Sequence, residues 1–258
     1  MSEVVSYEVR DGVAMITIER PDKKNAMNLD VFDGLTMAAE RAGEDEEVGA
    51  VLVAGRGGVF SSGIDISVFG GQADEGISLD FIARLQSSFS AFEDCPKPTV
   101  AAIEGYCFGA GIQLAAACHL RAVAPSAELA VLEAQWGLIP DLGGTYRLPR
   151  LIGLGRATEL VMTARRVPAD EALRIGLAEI SLDGADPSEQ ALEFARTLAR
   201  GPAAVRRAPH LLRDNLGRSR TDALAAEAEV QRQCIEGHDF GEAVGARMEG
   251  REPQFTGA

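Results

Sequence analysis

Gln113, Glu133 and Asp141 are polar side chains set among glycine turns in an otherwise apolar part of the chain. The stretch from Thr99 to Arg147 reads TVAAIEGYCFGAGIQLAAACHLRAVAPSAELAVLEAQWGLIPDLGGTYR. Its apolar start, Thr99 to Ile103, runs into a glycine-rich turn at 104–111 and then an alanine-rich helical stretch. A strand that turns sharply into a helix exposes backbone N–H groups at the helix start, and these can hold a developing oxyanion. A second such turn, Phe60-Ser61-Ser62-Gly63-Ile64-Asp65, follows the apolar run Val48 to Ala54. Glycine at 63, 109 and 111 lets the backbone approach a ligand closely. Side by side, the two turns could each aim one N–H at a single oxygen; a plain strand–helix turn is the other reading of each. Glu133 and Asp141 could supply a base nearby, and two neighbouring carboxylates push their pKa values apart. Otherwise Glu133 is an exposed residue at a strand end, and Asp141, after Pro140, closes a turn. The functional readings together describe chemistry on an activated acyl group.

The elements that must position these residues alternate between strand and helix. Val4 to Val9 and Val13 to Glu19 read as a hairpin turning at Asp11-Gly12. Leu29 to Ala42 has helical spacing, with Asn28 or Asp30 as N-cap, and Phe81, Ile82, Leu85, Phe89 and Phe92 mark a helix ending before Pro96. Val48 to Ala54, Val100 to Ile103, His119 to Ala124 and Leu129 to Leu132 are short apolar runs of strand type, and a helix is expected from about Ala110 to Cys118. This alternation predicts an α/β fold. We expect a core over residues 1–190 and a helical C-terminal region over 191–258, where strand signals fade. Leu211, Leu212, Leu216 and Leu224 there need cover from the core or from a neighbouring subunit. Gly70 to Gly76 is the best candidate for a mobile loop.

Composition narrows the function. The 258 residues carry a net charge of −14, which argues against a nucleic-acid surface. No run of eighteen apolar residues and no signal-like N-terminus occur, so we expect a cytoplasmic protein without a membrane partner. The four cysteines lack C-x-x-C spacing and read as buried thiols, and His119, His210 and His238 are far apart in sequence, so no metal is expected. Lys23 and Lys24 are two of only three lysines; they form either a solvated turn or a contact to a phosphorylated ligand. The seven arginines from Arg196 to Arg220 read as a solvated face or an oligomer contact.

The motifs RPDKKNAMN at 20–28, FSSGIDI at 60–66, PTVAAIEGYCFGAGIQLAAACHL at 98–120, GLIPDLGGTYRLPRLIG at 137–153 and ARRVPADEALRIGLAE at 164–179 occur in one order. With them the chain resembles the enoyl-CoA hydratase/isomerase, or crotonase, family over roughly residues 4–255. The resemblance implies a spiral of ββα units, a homotrimer or dimer of trimers built through the C-terminal region, and an acyl-CoA substrate with no further cofactor. It carries the oxyanion donors to the N–H groups of Ile64 and Ala110. Ser62, Asp65 and Ile66 would lie along coenzyme A, and Lys23 or Lys24 near its phosphates, although Asp22 stands where some relatives have the lysine. Trp136 either walls the acyl pocket or, as tryptophan more commonly does, packs in the core.

Hydratases of this family use two glutamates. The second matches Glu133, but the first matches Gln113, which cannot exchange a proton at neutral pH. Double-bond isomerases manage with the single carboxylate, and Asp141 falls where dienoyl-CoA isomerases place an aspartate. Double-bond isomerisation is therefore expected ahead of hydration, with Gln113 orienting water or the thioester. The alternatives are hydrolysis or dehalogenation of an acyl-CoA using Asp141, and a non-catalytic acyl-CoA binder. A serine hydrolase is disfavoured because Ser61-Ser62-Gly63 forms no G-x-S-x-G elbow.

Overall fold

Alternating apolar residues fold the N-terminus into the antiparallel hairpin β1 (Val5–Arg10) and β2 (Val13–Ile18). In a computed structural model, which describes residues 4–70 and 76–257, this hairpin forms one edge of a twisted sheet. Positions 71–75 of the expected mobile loop lie outside the described residues. The sheet continues in parallel through β3 (Ala50–Gly55), β4 (Thr99–Ile103), β6 (Leu120–Val123) and β9 (Ile180–Ser181). β4 is buried along its whole length, as expected of a strand covered on both faces.

Three further strands, β5 (Tyr106–Phe108), β7 (Glu128–Ala130) and β8 (Val167–Pro168), make a smaller second sheet. The chain steps from the large sheet to the small one between β4 and β5, and again between β6 and β7. Gly105 makes the first step possible: its φ is +54°, and a Cβ there would stand 2.5 Å from the carbonyl oxygen of Gly58. Helix α3 (Ala110–Ala117) follows the first β–β pair, which gives the ββα unit of a crotonase-like fold.

One face of the large sheet packs against α1 (Leu29–Glu44, capped by Asn28), α2 (Leu79–Glu93) and α3. The other face is covered by α7 (Pro187–Ala199), whose Ala191, Leu192 and Ala195 pack on Val13, Leu52, Val100 and Ala122. Position 190/191 therefore lies within a helix that belongs to the sheet. α4 (Gly144–Ile152) packs against α3 and α5 (Leu154–Thr163), and α6 (Ala169–Ile175) against β7, β8 and β9. Beyond Ala199 come α8 (Ala203–Asn215), α9 (Arg220–Glu236) and α10 (His238–Glu249). Leu212, Leu216 and Leu224 on this arm stay exposed in the single chain.

Candidate active site

The motif at 20–28 works first as a fastener. Asn25 is fully buried; its amide donates to the carbonyls of Arg56 (2.9 Å) and Val59 (2.5 Å) and accepts from the N–H of Arg20 (3.0 Å). Met27 then bridges the second turn: its N–H donates to Gly63 O at 2.8 Å, and its carbonyl accepts from Asp65 N–H at 2.8 Å. That pairing turns the N–H of Ile64 away from Met27, and it meets no acceptor among the described residues. Ser61 joins the two turns, donating to Tyr106 O at 2.8 Å and accepting from Phe108 N–H at 3.0 Å. Gly63 lies so close to the second turn that a Cβ on it would be 3.0 Å from Phe108 O and 3.7 Å from Ala110 N. Ala110 is the first residue of α3, so its N–H has no acceptor within the helix. The two expected donors thus come from turns in direct contact.

The carboxylate sits beside them. Glu133 does not end a strand: pairing of β7 with β5 stops at Ala130, and Glu133 opens a 3-10 turn, Glu133–Trp136. A Cβ on Gly109 would lie 3.6 Å from Glu133 Oε1, which places the carboxylate against the start of α3. Oε1 accepts a 2.6 Å bond from Gln113 Nε2, whereas Oε2 is buried without a partner among the described residues. Burial raises the Glu133 pKa; the hydrogen bonds from its own backbone and from Gln113 work against that, and the charge of Asp141 adds to it. Asp141 is half-buried in the following turn, and burial raises its pKa too. Its carbonyl accepts from Gln86 Nε2 at 2.6 Å.

Gln113 is 1% exposed. Its carbonyl accepts from the N–H groups of Leu142 (2.8 Å) and Gly144 (3.0 Å). Gly144 has to be glycine for this contact, since a Cβ there would come within 2.8 Å of that same oxygen. The opposite end of α3 is tied down by Arg121, which is 2% exposed. It donates to the carbonyls of Cys118 (2.9 Å) and Leu177 (3.1 Å) and pairs with Glu179.

The residues expected along coenzyme A also gather at the first turn. Ser62 N–H donates to Lys24 O at 2.9 Å, and Lys24 Nζ stands 5.3 Å from the Tyr106 ring. Lys23 and Lys24 are both exposed, as is Ile66. Asp65 is engaged internally, capping Ser67 N–H at 3.1 Å and pairing with Arg20 at 3.1 Å. Trp136 is 70% exposed, so the core position is corrected: its 3-10 turn ends at the left-handed Gly137, on the surface.

Two histidines that are far apart in sequence meet in space. The rings of His119 and His210 are 5.3 Å apart, edge to face, where α8 crosses the end of α3. A cavity of about 470 Å³ opens there, lined among others by His119, Tyr146, Leu151, Leu212 and Leu216, and none of the candidate catalytic residues reaches it. Sequence reasoning also missed Asn25 and Arg121, whose single-residue signal is only that of a polar side chain inside an apolar motif.

The sequence pattern of the enoyl-CoA hydratase/isomerase family matches residues 8–258. A Rhodobacter capsulatus protein named "Probable enoyl-CoA hydratase" is 37% identical over 98% of this chain and 98% of its own length. A peroxisomal fatty acid β-oxidation multifunctional protein of Arabidopsis thaliana is 41% identical over 73% of this chain, which spans 26% of that larger protein. The crystal structure of an enoyl-CoA hydratase from Bacillus anthracis superposes with a TM-score of 0.91 at 30% identity, covering 99% of this chain and all of that one. With the pattern matched almost end to end and full-length relatives of this similarity, the chain belongs to the enoyl-CoA hydratase/isomerase family.

Proposed function

We propose that this family enzyme shifts the double bond of an enoyl-CoA thioester in preference to hydrating it. The observation that carries this reading is the pairing of one ionisable carboxylate, Glu133, with the neutral amide of Gln113. The N–H groups of Ile64 and Ala110 donate to the thioester oxygen and stabilise the enolate as charge moves onto it. With a 3-enoyl thioester, Glu133 takes a proton from the carbon next to the thioester. The C–H electron pair forms a double bond to the thioester carbon and the carbonyl pair moves onto that oxygen, giving a dienolate conjugated with the original double bond. The proton returns two carbons further along, so that the double bond moves and nothing is added or lost. Asp141 serves as a second acid/base or tunes Glu133 by its charge. Coenzyme A lies along Ser62, Ile66 and the backbone of Asp65, with Lys23 or Lys24 toward its phosphates, and Trp136 borders the acyl end. No cofactor beyond the substrate is needed. The helical arm assembles the chain into a homotrimer or a dimer of trimers.

A saturated acyl-CoA incubated in D₂O tests the proton chemistry. Deuterium should enter at the carbon next to the thioester, and Glu133→Gln should slow that exchange about 10²–10⁴-fold, the usual contribution of general acid–base catalysis. Tight binding without exchange would instead identify an acyl-CoA binder. Offering 2-enoyl and 3-enoyl thioesters then separates the reactions, and brisk hydration of the 2-enoyl substrate would refute the isomerase preference.

A further inference from the structure

The cavity of about 470 Å³ where α8 crosses α3 and α4 is lined by none of the candidate catalytic residues. Its wall is apolar along Ala116, Ala117, Leu151, Leu198, Val205 and Leu212. That volume is typical of small-molecule sites, which combine an apolar lining with a few placed polar groups. α3 separates the cavity from the oxyanion turn, since Ala110 opens that helix and Ala117 closes it roughly 10 Å further along the axis.

The charges around the cavity are mostly of one sign. Four arginines, Arg121, Arg147, Arg150 and Arg213, line it with one acid, Glu93, among the described residues. Three of the four are compensated: Arg121 pairs with Glu179, Arg147 with Glu93, and Arg213 with Asp94 and Asp214. Arg150 is not. It donates to Tyr146 O at 2.7 Å and its guanidinium carbon lies 3.7 Å from the centre of the Tyr146 ring, which holds the group in place. No carboxylate among the described residues pairs with this exposed cation, on a chain of net charge −14. His119 puts a second donor on the wall. Thr99 N–H donates to its Nδ1 at 3.0 Å, so the neutral ring carries its proton on Nε2. That nitrogen is buried and bonds to none of the described residues, a costly state for a donor.

We infer that this cavity is a second ligand site and that it takes a small aliphatic carboxylate. The aliphatic chain fills the apolar wall, and the carboxylate pairs with Arg150 on the open side. Such a lining gives a compact anion such as phosphate nothing to bury, and Arg150 favours the acid over a neutral alcohol of the same length. The site stands apart from the reaction and does not depend on whether the enzyme isomerises or hydrates.

Titration calorimetry of the full-length protein in its native assembly, with decanoate, decanol and inorganic phosphate, tests this. Decanoate should bind saturably, decanol at least about threefold more weakly, and phosphate not measurably. Arg150→Glu should weaken decanoate about tenfold and leave decanol within about threefold, because it reverses the charge on the open side and spares the apolar wall. Leu151→Trp, which fills the cavity, should weaken both at least about tenfold. Prior saturation of the candidate active site with butanoyl-CoA should leave the decanoate affinity within about threefold. Displacement by butanoyl-CoA would put decanoate in the active site and overturn the assignment, as would undiminished binding to both variants. No saturable binding would overturn it as well, and would leave a neighbouring copy of the chain as what covers the cavity. Arg150 is on the surface, so Arg150→Glu keeps the test decisive if Leu151→Trp fails to fold.

Discussion

Glu133 is buried, one of its oxygens has no partner among the described residues, and its pKa is raised above the ordinary carboxylate value chiefly by that burial. The folded state therefore binds this proton more tightly than the unfolded chain does. Stability from this group is full below the ordinary carboxylate range and declines as pH rises through the raised value. Glu133→Gln should consequently melt at a higher temperature than the wild type at pH 7, with the advantage vanishing near about pH 4. Thermal melts across that range check this, and equal melting at pH 7 would show that the burial carries no cost. Glu133, Asp141 and Gln113 were legible in the sequence because polar residues between glycine turns in an apolar stretch are conspicuous, and the resemblance assigned their positions. The orientation of the Gln113 amide was not legible. It depends on backbone N–H groups 29 and 31 residues away, which only the folded chain brings within reach.

Strands and helices were readable where one periodicity dominated: the β1–β2 hairpin, α1 with its Asn28 cap, and α2 all fall where spacing places them. The run from Leu129 to Leu132 misleads because it is apolar throughout, yet β5 offers pairing only as far as Phe108, opposite Ala130. The chain beyond that point has no strand to lie against, and it turns. Contact between the two glycine turns gives a prediction for Gly63→Ala. Its φ of +109° strains any side chain, and a methyl group 3.0 Å from Phe108 O would push the turns apart by a few tenths of an ångström. Turnover should fall at least about tenfold in kcat with the fold retained, as for a misplaced oxyanion donor; unchanged kcat would mean that these turns do not hold the reacting oxygen. Where α8 meets α3, burial lowers the His119 pKa to about 4, with His210 and Arg213 adding to the effect. The unfolded chain takes up this proton first, so stability should fall as pH drops from about 6.5 toward about 4. His119→Asn, whose side-chain oxygen can accept from Thr99 N–H as Nδ1 does, should flatten that decline in acid melts. An unchanged pH slope would assign it to other groups.

At the scale of the molecule, the arm beyond Ala199 exposes Leu212, Leu216, Leu224, Ile235, Phe240, Val244 and Met248 on a chain of net charge −14. Such apolar area is seldom left to water. Sedimentation should give the mass of three chains or six, and Leu216→Asp should shift it toward a single chain; a monomeric wild type would contradict the proposed assembly. The sequence signalled that these leucines needed cover, but one chain does not say which surface supplies it. Arg121 has a consequence in time. It secures the end of α3 opposite Ala110 by binding Leu177 O and Glu179, and β6, which carries it, pairs with β9 at Ile180 and Ser181. During synthesis, then, α3 lacks this brace until Glu179 has left the ribosome, about sixty residues after the helix ends at Ala117. A chain cut short before Glu179 would carry every candidate catalytic residue and still lack the brace that holds their helix in place.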